Sequence, residues 1–152
     1  MILVSACLLG CPCKYSGGDN FSPAVQAFLK DKDYILCCPE QLGGLPTPRP
    51  PAELQHGEND GLRVVNRNGE DVTAPFLAGA EAAWQLCQAH RADTALLKEG
   101  SPSCGVERVY DGSFSGKKVP GRGITAALLA AHGVRLLSSE DIDEGQTDGG
   151  EG

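Results

Sequence analysis

The sequence predicts an α/β fold: a single-domain, parallel-sheet, Rossmann-like three-layer arrangement carrying a small β-hairpin. Three observations predict it. Four short apolar runs, each too short for a helix, alternate with segments of helical periodicity. The length of 152 residues suits one domain, and a domain of that size buries roughly two-thirds of its unfolded surface. No internal repeat or linker divides the chain.

The elements follow in order. Ile2-Leu3-Val4-Ser5 reads as a buried strand, ended by the turn residues after Cys7. Ser22-Pro23 supplies an N-cap and a first-turn proline for a helix through about Lys30, with Val25, Phe28 and Leu29 on one face. Tyr34-Ile35-Leu36-Cys37 is the second strand, stopped by Pro39, and strand, helix and strand make a βαβ unit. Residues 43–51 are rich in glycine and proline and are expected as an ordered but irregular loop. Arg63 to Val72 reads as the hairpin, with Val64-Val65 ahead of the tight-turn dipeptide Asn68-Gly69. Asp71-Val72-Thr73 opens the longest helix, through about Arg91, with Phe76, Leu77, Ala80, Trp84 and Cys87 inward. Thr94-Ala95-Leu96-Leu97 is the third strand. Ile124 to His132 is the last helix, closed by Gly133, and Val134-Arg135-Leu136-Leu137 is the final strand.

Charge and composition narrow the partners. The formal net charge is −7; such a field repels phosphate backbones, so no stable nucleic-acid partner is expected. Glu140, Asp141, Asp143, Glu144, Asp148 and Glu151 gather among glycines at the C-terminus. That stretch, 139–152, is expected as an acidic flexible tail behind a domain of residues 1–138. Ile2 to Leu9 has no basic residues before it and no cleavage site after it, and no run reaches transmembrane length. A cytoplasmic protein without a membrane partner is therefore expected. Nothing in the sequence fixes an oligomeric state. Seven cysteines in a compartment that keeps thiols reduced point to metal or catalysis rather than disulfides.

The cysteines fall in a telling pattern. Cys7 lies just past the first strand, Cys38 at the end of the second, and Cys104 in the loop after the third. Ligands of open parallel sheets bind beyond the carboxyl ends of the strands, so residues distant in sequence converge there. Of the adjacent Cys37 and Cys38 only one faces the site easily, and Cys38 adjoins the loop. Cys87 reads as core, whereas Cys11 and Cys13 stand close enough to Cys7 to join a metal site. Ser101-Pro102-Ser103-Cys104-Gly105, after Lys98, is ordinary turn chemistry alone and a candidate binding shell beside two other thiols. Gly121-Arg122-Gly123 before the last helix is a weak anion-binding signal. His56, His90 and His132 show no paired metal-ligand spacing.

These motifs together resemble the thiouracil desulfidase family. The likeness rests on Val4-Ser5-Ala6-Cys7-Leu8-Leu9-Gly10, on Cys38-Pro39-Glu40 with Gly43-Gly44-Leu45-Pro46-Thr47-Pro48-Arg49, and on Lys98 to Gly105. Asp71-Val72-Thr73 and Tyr110-Asp111-Gly112 add to it, and it spans Ile2 to about Leu137. The resemblance implies a [4Fe–4S] cluster held by Cys7, Cys38 and Cys104 only, with one iron open. It implies a small-molecule thiolated base of the 2-thiouracil type as substrate, desulfurated without net redox change. Glu40 corresponds to the family's catalytic glutamate, and the functional serine is Ser101 or Ser103. Tyr15, Lys98 and Arg49 are candidate substrate-binding residues, although Lys14-Tyr15-Ser16-Gly17 departs from the family's usual Arg-Tyr-Asp-Gly.

Three other readings stay open at this point. One is a structural zinc protein with Cys13 as fourth thiolate, although structural zinc favours closely spaced cysteine pairs. Another is a non-catalytic α/β module for a nucleotide or thiolated ligand. The last is an open-iron, dehydratase-like hydrolyase.

Overall fold

A computed structural model of the chain describes residues 1–56 and 62–142. Along it run β1 (Ile2–Ser5), α1 (Pro23–Leu29), β2 (Tyr34–Cys37), α2 (Pro39–Leu42), β3 (Ala52–His56) and β4 (Leu62–Asn66). There follow α3 (Thr73–His90), β5 (Thr94–Leu97), β6 (Arg108–Tyr110), β7 (Lys118–Pro120), α4 (Ile124–Ala131) and β8 (Arg135–Ser138). A 3-10 turn, Ala6–Leu9, extends β1.

The central sheet is parallel and ordered β2-β1-β5-β8. Alternate residues of its inner strands go to opposite faces. Leu3, Ala95 and Leu97 meet Ala83 and Cys87 of α3 and Ala126 and Leu129 of α4. Val4 and Leu96 meet Val25 and Leu29 of α1. The result is three layers, as the apolar runs predict. Burying each leucine-sized side chain contributes about 1.5–3 kcal/mol, so β1 and β5, covered on both faces, anchor the fold.

Inner-face residues of α3 recur as Phe76, Gly79, Ala80, Ala83 and Cys87. Leu77 is expected inward but is 53% exposed. One residue turns a helix by about 100°, which carries Leu77 off the stripe that Phe76 begins. Small residues on that stripe let α2 approach closely. A Cβ at Gly79 would fall on the Pro39 carbonyl oxygen, and one at Gly43 on the Pro75 carbonyl oxygen. Short as it is, α2 is thereby fixed against α3 beside the end of β2.

The hairpin differs from expectation. β4 pairs antiparallel with β3, and residues 57–61 between them lie outside the described residues. Asn68-Gly69 does form a tight turn, with Gly69 at φ 83°, but it closes on the single bridge Val65↔Asp71. The ladder cannot continue because α3 begins at once, and the Val64 N–H donates to Thr73 Oγ1 at 2.9 Å. A second hairpin, β6–β7, was not expected. At the C-terminus, Ser138 and Ser139 are buried and Ile142 packs on the α1 side of the sheet, so the folded body runs to at least Ile142. The rest of the expected acidic tail, residues 143–152, lies outside the described residues. No helix among the described residues is long and apolar enough to cross a membrane.

From β1 the chain moves outward to β2, then returns past β1 to β5. The crossover helices α1 and α3 pack on opposite faces. A crevice opens at such a reversal, outside the carboxyl ends of the strands.

Candidate active site

A cavity of about 420 Å³ occupies that crevice, and Cys7, Cys38 and Cys104 all line it. Cys7 sits in the 3-10 turn after β1, which Gly10 ends at φ 94°. The following loop folds back on it: Asn20 N donates to the Cys7 carbonyl at 3.0 Å, and Asn20 Nδ2 to Cys7 Sγ at 3.4 Å. Cys38 is the N-cap residue of α2, and its thiol donates to the Cys13 carbonyl at 3.7 Å. Cys37, one step earlier on β2, belongs to the core on the α3 side. Cys104 is buried in the loop after β5.

A fourth thiol joins them. Cys13 is 1% exposed, lines the same cavity, and has its thiol beside those of Cys7 and Cys38. Cys11 touches Cys13 but does not line the cavity. Cys87 stays in the core, and all seven cysteines are free.

The thiols are tuned unequally. The Cys13 hydrogen bond draws Cys7 down to about 7 against burial, with help from Asn20 and Lys98. The same partner draws Cys38 down to about 6 against burial, aided by the Gln41 N–H in the first turn of α2 and by Arg49. Cys13, the partner of both, is pushed up. Burial pushes Cys104 up to about 12, although Ser5 and Ser103 hydrogen-bond to it. The one Cys13 hydrogen can serve only one of Cys7 and Cys38 at a time, so it favours a single thiolate between them, and Cys104 would ionise only on binding a metal.

This donor set fits an iron–sulfur cluster. It is all soft sulfur, its members come from three separate strand ends, and each has a nearby hydrogen-bond donor. No group of three His, Cys, Asp or Glu side chains among the described residues is close enough to hold a single metal ion. A cluster several atoms across takes thiolates set wider apart than one zinc ion does.

Beside the thiols lies a carboxylate–hydroxyl chain. Glu40 stands in the first turn of α2, with Oε1 taking the Arg49 Nε–H at 3.3 Å. Its Oε2 accepts from Ser103 Oγ at 3.2 Å, and Ser103 Oγ lies 2.9 Å from Ser101 Oγ. Ser101 Oγ itself accepts the N–H groups of Ser103 at 3.1 Å and Cys104 at 3.0 Å. Arg49 is buried and gives three of its other N–H groups to the carbonyls of Pro46 and Cys13 and to Thr47 Oγ1, and it lines the cavity as well. Lys98 lines the cavity with Nζ donating to the Glu99 carbonyl at 3.0 Å, and Tyr15 lies at its rim, 45% exposed. Gly121-Arg122-Gly123 lines no part of this cavity; Gly123 instead packs tightly against the Ser103 backbone.

Glu99, one residue after Lys98, shapes the loop that holds Ser101 to Cys104. It is 3% exposed, and its Oε1 accepts the N–H groups of Gly100, Val106, Glu107 and Arg108 at 2.9–3.3 Å. Ser138 Oγ donates to Oε2 at 2.7 Å. Burial alone raises a carboxyl pKa, yet these bonds outweigh it and hold Glu99 below the ordinary carboxylate range. Hydrogen bonds to a charged group contribute about 1.5–3 kcal/mol each, so the outcome follows from their number. Asn20 and Glu99 gave no sequence signal, because each acts through backbone or thiol groups that only the fold brings near.

Comparison with known proteins agrees with this geometry. The family model described as 2-thiouracil desulfurase matches residues 2–141. The uncharacterized protein YbbK of Bacillus subtilis (strain 168) is 40% identical over 149 residues, covering 95% of this chain and 99% of its own length. A solved structure of TudS, a [4Fe-4S]-dependent thiouracil desulfidase, is 48% identical, with a TM-score of 0.83 over 94% of this chain and 93% of that one.

Proposed function

The chain belongs to the 2-thiouracil desulfurase family, and we infer from that membership an iron–sulfur enzyme that desulfurates a thiolated base of the 2-thiouracil type. The reaction is a hydrolysis: water gives its oxygen to the carbon that carried sulfur, and its two protons leave with sulfide. The observation that carries the reading is the meeting of Cys7, Cys38 and Cys104 at one cavity whose wall holds Glu40 and Ser103. Those three cysteines would hold a [4Fe–4S] cluster, with one iron left without a protein ligand. When bound, the cluster supplies a soft Lewis-acidic iron that polarises the thiocarbonyl.

The chain's own residues handle the protons. Both lone pairs of Ser101 Oγ are engaged by backbone N–H groups, so its O–H donates to Ser103 Oγ. Ser103 in turn donates to Glu40 Oε2, the nearer of its two acceptors at 3.2 Å against 3.6 Å to Cys104 Sγ. The chain therefore points from the cavity toward Glu40, which takes the proton of the attacking water. Arg49 holds Glu40 Oε1 and also lines the cavity, where it stands within reach of the base. Lys98 and Tyr15 bind the base. Seven free thiols suit a reducing cytosol.

Anaerobic turnover of 2-thiouracil in H₂¹⁸O tests the assignment. One ¹⁸O in uracil and one sulfide per base are expected. Sulfide without label, or no sulfide at all, contradicts hydrolysis.

A further inference from the structure

The outer wall of the cavity is built by the loop between β6 and β7, and its aromatic residue is held in an uncommon way. Phe114 has φ 57°, a left-handed conformation that bulky side chains rarely adopt. Such a conformation persists only where the surroundings over-determine it. Glu53, buried on β3, supplies that constraint by accepting the N–H groups of Gly112 at 2.9 Å and Phe114 at 3.2 Å. Gln55 Nε2 adds a bond to the Gly112 carbonyl at 2.8 Å, and Gly112 has no room for a side chain against the Leu54 carbonyl oxygen. The tip of one hairpin is thereby clamped to the first strand of the other.

Packing does not account for the ring. Phe114 belongs to none of the three apolar cores and is only half-buried. Instead it lines the cavity that holds the cysteines, with the Arg67 guanidinium 5.9 Å from its ring centroid. An aromatic face pinned by a buried carboxylate, on the wall of the cavity that holds the cysteines, is a surface for another flat ring.

We propose that Phe114 is the stacking platform for the substrate's heterocycle, making it a specificity-determining residue that selects aromatic thiolated bases over non-aromatic thiocarbonyls. Arg67 keeps the ring's orientation from its side, and Glu53 acts as a positioning residue through the Phe114 N–H. The proposal rests on the desulfidase reading for the identity of the ring, and it deepens that reading by naming what recognises it.

Binding of 2-thiouracil and of 5,6-dihydro-2-thiouracil to the cluster-loaded enzyme tests it. The dihydro compound keeps the thiocarbonyl and amide groups and loses aromaticity. Stacking on a protein ring favours a base by roughly tenfold or more. The native enzyme is expected to bind the aromatic compound about tenfold more tightly, Phe114→Leu to lose that preference, and Phe114→Trp to keep it. Iron content confirms that each variant is intact. A general structural role moves affinity for both compounds together and leaves their ratio unchanged. An unchanged ratio in Phe114→Leu, a lost one in Phe114→Trp, or no preference in the native enzyme overturns the proposal. Absence of turnover with the preference intact would instead remove the desulfidase reading and leave the platform standing.

Discussion

Replacing Cys104 with serine is expected to empty the site of iron and abolish thiouracil turnover together. Anaerobic iron and acid-labile sulfide assays should fall from about four each per chain to below about one. Serine offers a hard oxygen where the site needs soft sulfur, and this one would have to ionise while buried. Cys104 is also the member least ready to ionise unaided, since burial pushes it up to about 12. As a proposed ligand it would depend wholly on the metal for its ionisation. Cys7→Ser and Cys38→Ser should behave alike, because each removes one of three ligands. Cys87→Ser is the control: its thiol packs in the core, so the change costs stability and spares the iron. Full iron retention in Cys104→Ser would remove that residue from the ligand set.

Glu40→Gln should do the opposite, keeping the cluster and losing turnover by about 10²- to 10⁴-fold. Glutamine has the same length, and its amide oxygen can still take the Arg49 Nε–H that Oε1 now takes at 3.3 Å. It also preserves α2, whose closeness to α3 depends on Gly43 and Gly79 rather than on this side chain. What it cannot do is accept a proton from water or from Ser103. Ser103→Ala interrupts the same chain one step earlier and should cost less, since Glu40 then still faces the cavity. Turnover of the glutamine variant within threefold of the native enzyme would take Glu40 out of the chemistry.

The frame and the gathering of three cysteines at one cavity were legible for one reason. Parallel strands read as short apolar runs, whether covered on both faces like Ile2 to Ser5 and Thr94 to Leu97 or at the sheet edge like Tyr34 to Cys37, so they announce their own ends. Once those ends are known, Cys7, Cys38 and Cys104 fall on one edge of the sheet. The strands β3, β6 and β7 escaped because little of them is apolar. β3 presents Leu54 between Glu53 and Gln55, and β6 has only Val109 inward, too little for a period to emerge. Asn68-Gly69 drew the hairpin to the wrong partner because a turn dipeptide says nothing of the strand that pairs beyond it. Leu77 misled by type: a leucine one residue off the stripe looks inward until the helix is drawn. Glu99, Glu53 and Phe114 were beyond reach, because their roles lie in backbone N–H groups gathered from distant turns and in a φ angle that composition does not encode.

Mössbauer spectroscopy of anaerobic, ⁵⁷Fe-enriched protein with and without 2-thiouracil tests the metal centre most directly. Three thiolates on a four-iron core predict one iron distinct from the other three, and its signal alone should shift when the thiobase is added. Four equivalent irons indifferent to the base, as a fourth ligation by Cys13 would give, or zinc in place of iron, would contradict it.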